Sequence, residues 1–425
     1  MPPSAECCSW FTRNKKTWIY PPGGILLAAR KILLISPQPF FQWRGSPIRV
    51  RFNILALAGA GCSVDLLTLP VGKGQKIEGV RIIRVGNPFR VQNIPIGPSL
   101  HKAVFDLLIL AKGVQLVLRN RYDVIHGIEE TGIIAIMLSR LSGARAIFEK
   151  HSDPGSYRNG FFRNLILTVY RWVETLSVRY ADAVICTGKG LVRQARRVGA
   201  GTPVYHIFDI PSSLVDARAK NIARLRNLLR RGEDEVLLTY VGSFAAYQGL
   251  ELLLAAIPLV VARCPQARFL IIGGSRSEIA DCRQRLREKG VDLAVSFLGK
   301  RAPDRLPNYL AASDILLSTR LSGVNTPLKL LDYLKAGRSI VATDVEANRL
   351  ILDEETAQFA APDAQALARA MITLIEDGGR RERFGAAGRK LYESRYTFRE
   401  YARRLAVCYA SLPDQTGGDH GSIAR

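Results

Sequence analysis

The stretch Thr326-Pro327-Leu328-Lys329-Leu330-Leu331-Asp332, closed by Gly337, has the residue types of a helix that holds an anion. Thr326 and Pro327 suit a helix start: a side-chain oxygen for free amides, then a ring whose missing N–H costs nothing there. Gly337 suits the stop. Lys329 stands in the first turn, where the helix dipole is positive and a cation is unfavourable by roughly 0.3–1 kcal/mol. At about 100° per residue, Leu328, Leu330, Leu331 and Leu334 cover a broad core-facing arc and leave Lys329 and Asp332 about 60° apart on the other side. Free amides, a positive dipole and an ammonium together make an anion site. The plainer reading, an i,i+3 Lys–Asp surface pair, leaves the misplaced charge unexplained.

Two further stretches offer backbone amides to an anion. In "YVGSFAAYQGLELLLAAI" an apolar strand ends at Gly242, a loop follows through Ser243, and a helix begins near Gln248 or Gly249. A simple tight turn reads the same residues equally well. Near the start, a loop carrying Arg44, Gly45 and Ser46 precedes a helix expected from Pro47. Gly45 lets a backbone approach a ligand closely, while Arg49 and Arg51 read as either ligand contacts or solvated helix residues.

Metal chemistry finds no support. The seven cysteines show no C-x-x-C spacing and no histidine cluster, which argues against zinc and a disulfide framework and fits a reducing cytoplasm. No D-x-D closes an apolar strand; Asp234 sits in a polar loop before one. We therefore expect no metal and no cofactor.

The elements that must position these residues alternate. Apolar runs at 31–36, 64–69, 80–85, 123–127, 144–150, 182–188 and 204–208 read as buried parallel strands, with segments of helix length between most of them. "DIPSSLVDARAK", 209–220, breaks the pattern as a linker. The alternation restarts at 235–242, 267–274, 295–300, 314–319 and 339–343, and charged helices follow from about 363 to 412. The expected fold is α/β: two Rossmann-like, doubly wound parallel-sheet domains facing across a cleft. The expected boundaries are 30–210 and 211–400. Residues 401–425 are expected to be a helix and then a tail. Residues 1–29 are a disordered extension or an over-extended start, without the continuous apolar run of a signal peptide.

The formal net charge is +23. Residues 1–210 hold 28 Lys and Arg against 12 Asp and Glu, so the excess lies mostly in the first half. That suggests an anionic partner: lipid headgroups, a diphosphate carrier or nucleic acid. No apolar run is long enough to span a bilayer; "VFDLLILAKGVQLVLRN" is interrupted by Asp106, Lys112 and Gln115.

The pairing of "YVGSFAAYQGLELLLAAI" with "SGVNTPLKLLDYLKAGRSIVATD", supported in order by "FEKHSDP", "ADAVICTGKGLVRQARR" and "RYTFREYARRL", resembles glycosyltransferase family 4, two-domain sugar transferases of the GT-B fold. The likeness runs from Lys31 to about Tyr409, and by it, not by periodicity, the helix within 401–425 is expected to return toward the first domain. It implies that Gly45 is the family's glycine loop, that His151 lies near the transferred sugar, and that Asp332 grips the donor ribose in place of the usual glutamate. These last two are the expected catalytic pair. His126 matches a strand-end histidine of mainly structural role on the acceptor side. Three positions depart from the pattern: Ser243 and Gln248 replace the phosphate-binding arginine and lysine, and Val324 replaces a glutamate. With those cations gone, Lys329 and Arg320 are expected to meet the diphosphate, with Asn325 and Thr326 beside them.

The expected activity is transfer of a sugar from a nucleotide-diphosphate sugar, UDP or GDP, to an acceptor hydroxyl with retained configuration. Cell-surface glycan, exopolysaccharide or glycolipid synthesis is the expected setting. A nucleotide-sugar epimerase or hydrolase of the same fold, or a non-catalytic basic binding protein, are the alternatives; nucleic acid is not an expected partner. Helix 161–181, with Arg163, Arg171 and Arg179 among Phe161, Phe162, Tyr170 and Trp172, either rests on an anionic membrane or is packed with its arginines snorkelling. Arg44, Arg49 and His126 join it on the expected acceptor side. The expected location is the cytoplasm, and on the membrane reading of this helix it is peripheral on the inner face of the plasma membrane.

Overall fold

The computed structural model describes residues 27, 29–40, 45–72, 77–92, 100–152, 161–199, 201–229, 232, 234–322 and 326–413. Arg44, Asn325 and nearly all of 1–29 lie outside the described residues, as does the side chain of Arg163.

The first domain alternates β1 (Lys31–Ser36), α1 (Gly45–Gly59), β2 (Ser63–Thr68), β3 (Val80–Arg84), α2 (Leu100–Arg119), β4 (Val124–Ile128), α3 (Thr131–Ser142), β5 (Arg145–Lys150), α4 (Phe161–Tyr180), β6 (Ala183–Cys186), α5 (Lys189–Val198) and β7 (Val204–His206). Its strands pair in parallel in the order β3-β2-β1-β4-β5-β6-β7. Continuous apolar strands form here because helices cover both sheet faces. Ile32 and Leu34 meet α1 on one side, while Leu33 and Ile35 meet α2 and α3 on the other. The first helix begins at Gly45, two residues before the proline expected to open it.

After α6 (Ala219–Leu229), the second domain runs β8 (Val236–Val241), α7 (Leu250–Arg263), β9 (Ala267–Ile272), α8 (Arg276–Glu288), β10 (Val295–Phe297), α9 (Leu306–Ala312), β11 (Ile315–Ser318), α10 (Leu328–Ala336), β12 (Ser339–Thr343), α11 (Glu346–Arg349), β13 (Gln358–Ala360), α12 (Ala364–Glu376), α13 (Gly378–Arg395) and α14 (Phe398–Ala410). The parallel order is β10-β9-β8-β11-β12-β13. Strand order reverses between β1 and β4 and again between β8 and β11, and ligands bind outside the carboxyl ends of strands at such points.

The last helix, α14, packs in the first domain. Tyr401, Leu405 and Tyr409 share the core of α1 and β1. Among the described residues, no helix is long and apolar enough to cross a membrane.

Candidate functional site: unpaired cations at the strand ends

The loop after β8 is fixed by its neighbours. Gly249 has φ +68°, and a Cβ there would lie 1.8 Å from the Thr319 carbonyl oxygen, so only glycine fits. The Thr319 hydroxyl donates to the Gln248 carbonyl at 3.0 Å, and the Leu321 amide donates to the Tyr247 carbonyl at 2.9 Å. The loop carrying Gly242, Ser243 and Gln248 is thereby bound to the segment after β11, which carries Arg320.

Lys329 reaches this loop from the first turn of α10. Its Nζ donates to Gln248 Oε1 at 3.1 Å and lies 4.8 Å from the centre of the Tyr240 ring. Arg320 is 9% exposed, donates from Nε to the Ser322 carbonyl at 2.7 Å, and lies over the Tyr247 ring. Burial, then the Arg320 charge, pull the Lys329 ammonium down to about 7. Burial also lowers Arg320. Among the described residues, no carboxylate forms an ion pair with either cation. Two partly desolvated cations without a counter-ion can hold an anion, although the Gly242, Gln248 and Gly249 amides are already bonded to the Ile272, Ala245 and Ala246 carbonyls.

Across the cleft, a Cβ on Gly45 would lie 3.4 Å from Leu328 Cδ1. The start of α1 therefore meets the start of α10 at Leu328, the residue before Lys329. Beside Gly242 the sheet edge opens into a cavity of about 530 Å³ lined by Gly274, Phe297, Leu298 and Arg301. It adjoins the loop directly: a Cβ on Gly273 would strike the Gly242 carbonyl oxygen, and one on Gly274 would strike the Phe244 ring.

Thr326 does not cap the helix as expected: α10 starts at Leu328, the N-cap position is Pro327, and no side chain closes it. That leaves the first-turn amides without a side-chain acceptor. Asp332 turns to the linker instead of the glycine loop. Its two oxygens accept from the Ser212 amide and hydroxyl, each at 2.8 Å, and burial raises its carboxyl to about 7. A ribose contact would require it to exchange Ser212 for a sugar hydroxyl.

In the first domain, Glu149 at the end of β5 organises a buried polar cluster that the sequence did not single out. It accepts from Arg49 Nε and from Asn53 Nδ2. His126 Nε2 and His151 Nε2 approach its oxygens at 3.0 and 3.1 Å, off the hydrogen-bonding direction. Although burial opposes ionisation, Arg49, His151 and His126 together hold Glu149 well below the usual carboxylate range. Glu129 adds a second anchor: its φ is +51°, uncommon for a non-glycine residue, and its Oε1 accepts from the His151 amide at 3.0 Å.

His151 is thus held at the strand ends with its side chain 7% exposed. Arg49 is a correction: expected toward the acceptor, it is 3% exposed and bridges Glu149 to Asp209 of the linker. His126, expected on the acceptor side in a mainly structural role, is fully buried against Tyr409 at 2.8 Å, which fits the structural role and not an acceptor contact. Arg171 is exposed on α4, away from this cluster. No group of three His, Cys, Asp or Glu side chains among the described residues could hold a metal ion.

Comparison with known proteins gives the family. The model for the glycosyl transferase 4-like domain matches residues 44–211, and that for glycosyl transferases group 1 matches residues 235–377. The phosphatidyl-myo-inositol mannosyltransferase of Mycolicibacterium smegmatis is 33% identical over 82% of this chain and 85% of its own. Sucrose-phosphate synthase from Thermosynechococcus elongatus has the same fold, with a TM-score of 0.73 at 23% identity over 90% of this chain and 98% of its own. Anabaena HepE, solved in complex with UDP and glucose, gives 0.67 at 16% identity over 90% and 100%. The chain belongs to glycosyltransferase family 4, the group 1 enzymes of the GT-B fold.

Proposed function

We propose that this glycosyltransferase moves a sugar from a UDP- or GDP-sugar to a hydroxyl of a lipid-linked or glycan acceptor. The observation that carries the reading is the pair of unpaired cations, Lys329 and Arg320, over the Gly242–Gly249 loop. The pyrophosphate is their counter-ion. In this family-type loop the lysine is expected at position 248; here Gln248 stands there and Lys329 supplies the ammonium to the same spot from α10. The nucleoside enters the adjoining cavity, whose volume suits it. Charge that develops on the leaving diphosphate is met by fixed cations and amides, so no metal is required.

Gly45 and His151 close the site from the first domain: the glycine by close approach to α10, the histidine at the transferred sugar. A lipid-linked acceptor is favoured by the M. smegmatis relative, whose name specifies phosphatidyl-myo-inositol. The reaction class is retaining, by family resemblance, which proton NMR of the product's anomeric signal tests.

A thermal-shift screen with UDP-, GDP- and ADP-sugars tests the donor reading. Binding to the native state raises its apparent stability, so one nucleotide class is expected to raise Tm in wild-type protein and not in Lys329→Ala. No shift with any of them overturns the reading. Release of free sugar with no dependence on acceptor would replace it by hydrolysis.

A further inference from the structure

Helices α3, α4 and α5 lie in one layer: Ile136, Val178, Val192 and Ala195 share a buried cluster against Phe148 and Val184 of the first sheet. The outer side of the layer carries large apolar side chains in water. On α4, Val169, Trp172 and Tyr180 are 55%, 64% and 53% exposed, and they fall within about 80° of helical arc. On α3, Met137 and Leu141 are about half exposed. The Arg140 guanidinium of α3 lies over the Tyr180 ring of α4, so the two helices present one continuous surface.

Cations border this stripe. The neighbouring arc of α4 carries exposed Arg171 and Arg179. Helix α5 turns Lys189, Arg193, Arg196 and Arg197 outward within about 100° of arc while burying Val192 and Ala195. Neither α3 nor α5 contains an acidic residue, and Glu174, the one acid on α4, pairs with Lys150. A second copy of the chain would bring like charge to like. An apolar stripe with a Trp and a Tyr, edged by arginines, matches an anionic lipid–water interface, where rings sit at headgroup level and cations meet phosphates.

We propose that the outer face of α3, α4 and α5 is the surface by which the enzyme docks on an anionic bilayer, lying on it rather than crossing it. This extends the lipid-linked acceptor of the proposed function and is independent of the donor site. The test is co-sedimentation of the full chain with vesicles of phosphatidylcholine alone and with about one-third phosphatidylglycerol, at low and high salt. Binding is expected only to the phosphatidylglycerol vesicles and is weakened by salt.

Arg193→Glu, Arg196→Glu and Arg197→Glu together are expected to lower the partition coefficient at least tenfold, on the order of the loss of three surface cations or more; Trp172→Ala lowers it separately. Circular dichroism confirms that both variants are folded. No binding at low salt, or binding unchanged in both variants, overturns the proposal, as does a Trp172-dependent dimer in analytical ultracentrifugation. Calorimetry of donor binding without vesicles separates the two readings: the triple variant keeps it if the docking face is distinct from the donor site. Failure of donor binding in wild type strikes the proposed function alone.

Discussion

Lys329 sits beside a second cation, partly desolvated, with its ammonium already near neutrality at about 7. On the proposed reading a bound pyrophosphate supplies the missing charge and raises that value again. Below about pH 7 the lysine is protonated in both free and bound protein, so donor affinity is flat. Above it, binding must take up a proton, and affinity falls by up to about tenfold per pH unit until the bound-state value is passed. Calorimetry in buffers of different ionisation enthalpy reads this uptake directly; affinity independent of pH from 6 to 9 would contradict it. The position of the charge is testable too. If what matters is an ammonium over the loop, Gln248→Lys in a Lys329→Met background is expected to restore much of the lost donor affinity. Lys329 was legible in the sequence because a cation at a helix N-terminus is locally unfavourable. Glu149 was not: its partners at 49, 53, 126 and 151 are scattered along the chain and meet only after the sheet has formed. Asp332 was singled out by resemblance as a ribose contact, but its partner Ser212 was not foreseen, because a linker serine carries no pattern.

Helix α10 links the Gly242–Gly249 loop to the domain linker. Its first turn bears Lys329, and the next face is tied down by Asp332 to Ser212 and by Lys335 Nζ to the Ser213 and Val215 carbonyls. The Asp332 carboxyl is raised from 3.8 to about 7, so the folded state binds more protons than the unfolded one between those values. Its contribution to stability is therefore fully present below about pH 4 and is lost as pH rises through about 7. Asp332→Asn removes that slope: the Tm of wild type relative to the variant is expected to fall from pH 4 to 7, and parallel Tm curves would contradict the assignment. Most strands were legible because a parallel strand buried on both faces is an unbroken apolar run. β13, Gln358–Ala360, was missed because three residues among alanines have no such signature. The start of α10 was misplaced because Thr-Pro reads as cap and first residue, whereas Pro327 occupies the cap itself.

At the scale of the whole molecule, buried polar contacts tie the linker and the returning helix α14 to the first lobe. Arg49 bonds Glu149 of the first sheet and the Phe208 carbonyl and Asp209 of the linker, and Tyr401 of α14 donates to Asn53 one turn along α1. Arg49→Ala would leave a buried carboxylate without its cation, and a loss of about 3–5 kcal/mol is expected in urea denaturation; a variant within about 1 kcal/mol of wild type would show that the cluster is not structural. The two-domain plan was visible in the sequence as an alternation that stops and restarts. The route of α14 into the first domain's core came from resemblance alone, since its amphipathic pattern fits any apolar surface. The cleft those lobes form is claimed to grip a pyrophosphate through residue 329, and titration of UDP and GDP into wild-type and Lys329→Met protein below pH 7 measures that grip. Wild type is expected to bind one of the two diphosphates, and the variant to bind it roughly 10–100-fold more weakly, as loss of a charged hydrogen bond requires. Equal affinity in a correctly folded variant would contradict the claim.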